Sequence, residues 1–229
     1  MSARFYNRIL FCLLVMAVVS PMLAQNAPFT FESFLDSAAL TNQYAGATFA
    51  NATVLSAGIT LDEFEFPTHG GSNVVSDTGG PITISFLSPV RSFGGYFTYS
   101  VPLTVQALDS SNNVLASATS TFSNNEGLSG TSGSHPNEFL TVASSAGISR
   151  IVITGTAQGT SFTMDDALVI TRCDLNRDGQ TNAADAQAAI DEALGVRPGA
   201  DDLTAEGTVN VVDAQIVINA VLGSGCSAK

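Results

Sequence analysis

Asp174-Leu175-Asn176-Arg177-Asp178-Gly179-Gln180-Thr181-Asn182-Ala183-Ala184-Asp185 is the stretch from which the organisation of this chain is read. Counting Asp174 as position 1, side-chain oxygens recur at positions 1, 3, 5 and 12, and glycine stands at position 6, where the backbone must turn sharply. A hard cation such as calcium demands that spacing of a binding loop. A weaker copy runs from Asp202 to Asp213 and repeats Asp, Leu, Gly, Asn and Asp at matching positions. The match continues through Ala186/Ala214, Gln187/Gln215, Ile190/Ile218, Leu194/Leu222 and Gly195/Gly223, so the duplicated unit is a loop followed by a helix. Ala183 to Leu194 and Val211 to Leu222 are the expected helices, each closed by a glycine suited to the left-handed position after a helix end. Ile190 with Leu194, and Ile218 with Leu222, are spaced to share one helix face on which the two helices would pack.

Outward from this unit, 229 residues suffice for two small domains, and the formal net charge is -12. From Cys173 to Lys229 nine Asp and Glu stand against three Lys and Arg. Such a balance offers no basic patch to displace phosphate counterions and excludes nucleic acid or anionic lipid as a partner. Arg4 and Arg8 precede an apolar run, Ile9 to Val19, and small residues end at Ala24, the order of a secretory signal peptide at residues 1–24. The run is too short to span a bilayer, so the expected location is extracellular or at the cell surface. Cys12 would leave with this segment. Cys173 and Cys226 would remain in an oxidising compartment, where pairing is the default and free or intermolecular thiols are the alternative. A bond between them would clasp the start of the duplicated module, residues 172–229, to its end, and would stabilise it by roughly 4 kcal/mol on the chain-entropy model.

Residues 25–171 read differently. Short apolar runs alternate with turns rich in Ser, Thr, Gly and Asn, the pattern of an all-β sandwich. The candidate strands are Phe29 to Phe34, Ile82 to Phe86, Phe93 to Tyr99, Leu103 to Ala107, Val114 to Phe122, Phe139 to Ala143, Ile148 to Thr154 and Ser161 to Ile170. Asp109 to Asn113 reads as a hairpin loop. Pro67 to Pro81 and Ser123 to Pro136 read as long surface loops. This number of strands suits a jelly roll, with an immunoglobulin-like sandwich as the alternative.

Phe31-Glu32-Ser33-Phe34 and Met164-Asp165-Asp166-Ala167-Leu168 become neighbours if the first and last strands pair, and Glu32 with Asp165 or Asp166 would then share a structural calcium. A Phe-Glu near the first strand and an Asp-Asp-aliphatic in the last resemble the jelly-roll carbohydrate-binding and galactose-binding-like modules of secreted bacterial proteins. Asp62-Glu63-Phe64-Glu65-Phe66, read as a strand, places Glu63 and Glu65 on one face with Phe64 and Phe66 in the core. Paired carboxylates are the machinery of glycosidases, which makes Glu63 and Glu65 the candidate catalytic residues. Neither a Gly-x-Ser-x-Gly elbow nor a His-Glu-x-x-His motif is present, and the chain has no Trp. Tyr96 to Tyr99 is expected to contribute to the core, which weakens sugar binding by stacking.

The duplicated module, with Asp at position 12, no helix leading into the loop and a tandem copy, resembles a dockerin, the calcium-dependent module that docks onto cohesin domains. The resemblance implies calcium ligands Asp174, Asn176, Asp178, the Gln180 carbonyl and Asp185 in the first loop. In the second it implies Asp202, Thr204, Glu206, the Thr208 carbonyl and Asp213, with weaker binding because Thr204 and Glu206 replace the more usual Asn or Asp. It also implies cohesin contacts at Ala183-Ala184 and Val211-Val212. Three functions stay open at this point. One is a non-catalytic recognition domain tethered through a dockerin, in polysaccharide degradation or surface attachment, with cohesin and carbohydrate as partners. The others are a small glycoside hydrolase, and a matrix component whose loops only stabilise the neighbouring domain.

Overall fold

The computed structural model describes residues 29–228. The signal-peptide reading of residues 1–24 and the fate of Cys12 lie outside them. Among the described residues nine strands precede two helices: β1 Ala39–Leu40, β2 Ala47–Ala50, β3 Ala52–Ser56, β4 Asn73–Thr78, β5 Ile82–Tyr99, β6 Thr104–Leu108, β7 Val114–Thr119, β8 Glu138–Thr154, β9 Gly159–Thr171, α1 Ala183–Ala193 and α2 Val211–Val221. Every strand pair is antiparallel. Among the described residues no helix is long and apolar enough to cross a membrane.

Two long strands give the β domain its layers. The first part of β5, Ile82 to Ser85, pairs with β2 on one side and with Arg150 to Ile153 of β8 on the other. Its second part, from Ser92, pairs with β9 and with Glu138 to Ala143 of β8. Register shifts between Ser85 and Ser92 mark where β5 turns from one set of neighbours to the other. One ladder therefore runs β1-β3-β4-β9-β5-β8 and the other β2-β5-β8-β6-β7. A single apolar cluster joins them, with Val54, Val75, Phe93, Phe97, Phe162 and Met164 from the first and Ile82, Ile84, Val105, Ile151 and Ile153 from the second. Period-two alternation fixes this division: in β6 the burial pattern alternates along Thr104–Leu108, with Val105 and Ala107 inward.

Several expectations for this domain need correction. Residues 29–34 are no strand. Phe29 makes an isolated bridge to Ala167, and Phe31 then takes a positive φ of 60°, so the chain turns. Pro67 to Pro81 is interrupted by β4, whose burial on both faces hides the alternation that would reveal a strand. Gly94 and Gly95 do not break β5, because the Phe139 ring lies over Gly94 where any side chain would collide. The Asp109 loop does join β6 to β7, with the Asp109 carboxylate accepting from the Ser111 and Asn113 N–H groups. Residues 123–136 form a loop as expected, pinned by buried Asn125, which accepts from Tyr99 N–H and donates to the Phe97 carbonyl.

In the C-terminal module, Cys173, Leu175, Ala188, Ala189, Leu203, Ala214, Val217, Ala220 and Cys226 form a second, separate core. Leu194 and Leu222 are 73% and 71% exposed rather than packed between the helices, because each is the C-cap residue beyond the last helical turn. The small residues Ala188, Ala189, Ala214 and Ala220 take that place.

Candidate functional site

Both expected loops close on themselves in the same way. Asp174 Oδ2 accepts from Gly179 N–H at 2.9 Å and its Oδ1 from Asp178 N–H at 3.2 Å. Asp202 accepts from Gly207 N–H at 2.6 Å and Glu206 N–H at 3.2 Å. At the other end, Asp185 Oδ1 accepts from Leu175 and Asn176 N–H at 2.8 and 3.1 Å. Asp213 Oδ1 accepts from Leu203 and Thr204 N–H at 2.8 and 3.0 Å. The glycines at position 6 take φ of +85° and +94°, and the closing glycines Gly195 and Gly223 take +69° and +87°. These are conformations that glycine adopts without cost.

One role of Asp185 and Asp213 escapes the spacing argument. Asn182 and Asn210 are the N-caps of α1 and α2, and Asp185 and Asp213 complete capping boxes by accepting from the N-cap N–H at 2.8 and 2.9 Å. Each aspartate thus ties loop start, loop end and helix start together. The signal is in the sequence as Asn-x-x-Asp immediately before each helix.

Electrostatics distinguish the copies. Asp174 is fully buried, and burial, reinforced by the Asp185 and Asp178 carboxylates, raises its pKa above the ordinary value. Asp202 is partly exposed, and the Gly207 N–H, followed in effect by Glu206, lowers its pKa. Among the described residues no three His, Cys, Asp or Glu side chains are gathered as a metal-binding group, since the loop carboxylates are turned onto the loops' own N–H groups. Cys173 and Cys226 form a disulfide with Cα atoms 5.7 Å apart, clasping the module's ends. Ala183, Ala184, Val211 and Val212 all face solvent, Val211 at 74%.

In the β domain, Glu32, Asp165 and Asp166 each bind the loop at residues 69–73, at different points along it. Glu32 accepts from Ser72 and Asn73 N–H at 2.9 and 3.0 Å, and Asp165 Oδ2 from His69 and Gly70 N–H at 2.8 and 3.1 Å. Asp166 Oδ2 lies 2.7 Å from His69 Nδ1. A side chain at Gly71 would collide with the Glu32 carboxylate, so glycine is required for the loop to lie this close. Burial pushes the Asp165 carboxyl up to about 6, against the pull of the two loop N–H groups. The His69 ring stacks on Tyr96 with centroids 3.4 Å apart, and Tyr96 lies 5.0 Å from the half-exposed Phe139. Tyr96 is therefore on the outer face, while Phe97 and Tyr99 are in the core.

Glu63 and Glu65 do not form a carboxylate pair on a strand face. Residues 62–66 make a turn, closed by Phe66 N–H donating to the Asp62 carbonyl at 2.8 Å, which abolishes the alternation. Glu65 accepts from Leu128 and Ser129 N–H, both at 3.0 Å, whereas Glu63 is exposed. Phe64 is 70% exposed rather than in the core.

No family model matches the chain, and no curated protein matches it. Solved structures are similar to it over part of its length. The K2 cleaved adhesin domain of Lys-gingipain, a Porphyromonas gingivalis protein, shares 19% identity over 63% of this chain and 98% of that one, with a TM-score of 0.42. A family 6 carbohydrate-binding module of Clostridium stercorarium in complex with cellobiose shares 15% over 58% and 92%, with a TM-score of 0.33. A protein of Bacteroides caccae from a family of unknown function shares 11% over 60% and 91%, with a TM-score of 0.39.

Proposed function

We propose that the chain is a secreted, non-catalytic, two-part protein in which a recognition domain of jelly-roll type is joined to a calcium-folded dockerin-type module that tethers it to a cohesin-type partner. The observation that carries this reading is the identical closure of the two loops: in each, one buried aspartate at position 12 holds the N–H groups of positions 2, 3 and 9. The donor set fits calcium, which takes oxygen from carboxylates, amides and carbonyls in flexible geometry. Asp174, Asn176, Asp178, the Gln180 carbonyl and Asp185 would hold one ion. Asp202, Thr204, Glu206, the Thr208 carbonyl and Asp213 would hold the other. Bound calcium supplies positive charge to a cluster whose first carboxylate is fully buried beside two others.

Exposed Val211 and Val212, with Ala183 and Ala184, would meet the protein partner. Carbohydrate is the ligand class for the β domain, supported by the outward aromatic group of His69, Tyr96 and Phe139. Glu32 with Asp165 or Asp166 would share a third, structural ion. Titration calorimetry of the full chain is expected to count two or three calcium sites, with the module's melting temperature higher in calcium than in chelator. A module whose melting ignores calcium would sink the reading. Binding of a cohesin domain in calcium, abolished by chelator and by Val212→Asp, tests the tether.

A further inference from the structure

The β domain reaches into the second loop but not, in the same way, into the first. Arg91, on β5, places its guanidinium on the carboxylate of Asp201, the residue just before the second loop, and these side chains are only 19% and 11% exposed. The same guanidinium donates to the Arg172 carbonyl at 3.5 Å, and Arg172 in turn donates to the Asp202 carbonyl at 3.3 Å. From the module's side, Glu192 of α1, its side chain fully buried, accepts from Ala200 and Asp201 N–H at 2.9 and 3.0 Å. Arg197 lies 3.7 Å from the other Glu192 oxygen. Residues 200–202 are therefore held by the β sheet, the connecting residue and the first helix at once. Among the described residues no ion pair joins the β sheet to the first loop. That loop follows Cys173 directly from the end of β9 and meets the β domain at the Thr171 and Thr181 hydroxyls, 3.0 Å apart, and where Gly179 approaches the Leu168 side chain.

We propose that the Arg91–Asp201 pair is an interdomain latch through which the β domain sets the cation affinity of the second loop. The latch rests on the calcium reading of the loops. Residues that are already fixed need not be ordered on binding, so a latched loop binds more tightly than a free one. Coupling is reciprocal: a cation in the second loop strengthens the docking of the module on the sheet. Arg91 also carries a positive charge that opposes a cation nearby, so removing it alone mixes two effects. Replacing both partners, Arg91→Met with Asp201→Asn, leaves the net charge unchanged and removes only the latch.

The test is calcium titration of the full chain and of this double variant. Affinity at the second loop is expected to fall about tenfold while that at the first moves less than about twofold. The β domain's melting, followed by tyrosine circular dichroism, should respond to calcium in the native chain and cease to respond in the double variant. Unchanged affinity at both loops, or a β domain whose melting still follows calcium, overturns the latch. Arg91→Lys, which keeps the charge and loses the planar fork, guards against misfolding and should fall between the two. A native chain that binds no calcium overturns the loop reading instead. The latch is then judged in chelator by hydrogen exchange at the Asp201 and Leu203 amides, which should quicken at least about tenfold in the double variant and would overturn the latch if unchanged.

Discussion

The first and second loops share a backbone and differ in what their side chains offer. In both, the aspartates at positions 1 and 12 accept from matching N–H groups, so the closure tolerates changes elsewhere. In the first, Asn176 accepts from Asp178 N–H, and Asp178 accepts from Gln180 N–H. In the second, the Thr204 hydroxyl donates to Asp202 and to Asp213, both at 3.1 Å, and Asn210 donates to Glu206. A hydroxyl that occupies two carboxylates competes for the oxygens a cation needs. Shape resides in positions 1 and 12, and on the proposed calcium reading affinity would reside in positions 3 and 5.

That division is open to attack, most forcefully at what both loops share. Cys226→Ser removes the clasp around the whole module and is expected to lower its stability by up to about 4 kcal/mol, weakening both loops alike in denaturant titration. Asp185→Ala and Asp213→Ala each strand three backbone N–H groups, and each should cost about 3 kcal/mol even in chelator. A clearly smaller loss for one would show that closure is not equivalent. Thr204→Asp frees the two carboxylates and adds an acceptor, so calcium affinity at the second loop should rise about tenfold, some 1.4 kcal/mol, with the first loop as internal control.

The smallest effect is the dependence on pH in chelator. Asp174 and Asp165 have raised pKa values, the latter about 6, so the folded chain takes up protons before the unfolded one, and stability is gained as pH falls through about 6 towards 4. Asp202 is lowered, so its contribution is lost as pH falls through its folded value. Denaturant midpoints at pH 7 and 5 should therefore show a gain on acidification that shrinks in Asp165→Asn and is unchanged in Asp202→Asn, whose effect belongs to pH values below about 4.

Much of the C-terminal module was legible because its constraints are local. A glycine at position 6, an asparagine cap and the aspartate three residues on lie within one short segment. Leu194 and Leu222 misled because i, i+4 spacing says which residues share a face and not where the helix stops. The β domain yielded its core residues more readily than its strand limits. The alternating runs Ile82 to Phe86 and Leu103 to Ala107 put Ile82, Ile84 and Val105 in the core, whereas the continuity of β5 through Pro89, Gly94 and Gly95 depends on neighbours far along the chain. Residues 62–66 alternate as a strand would, yet Asp62 accepts from Phe64 and Glu65 N–H and turns the chain. Arg91 and Asp201, 110 positions apart, carry no mark in the sequence of belonging together.

The way β9 runs into Cys173 has a mechanical consequence. β9 sits inside its ladder, hydrogen-bonded to β4 on one side and β5 on the other, and ends two residues before the clasped module. Tension applied to the module enters the β domain along the axis of that strand. It must slide β9 past both neighbours and break many hydrogen bonds together, rather than peel an edge strand away one bond at a time. Meanwhile the disulfide lets force bypass the loops, so the module can bear load without unravelling beyond Cys173 and Cys226.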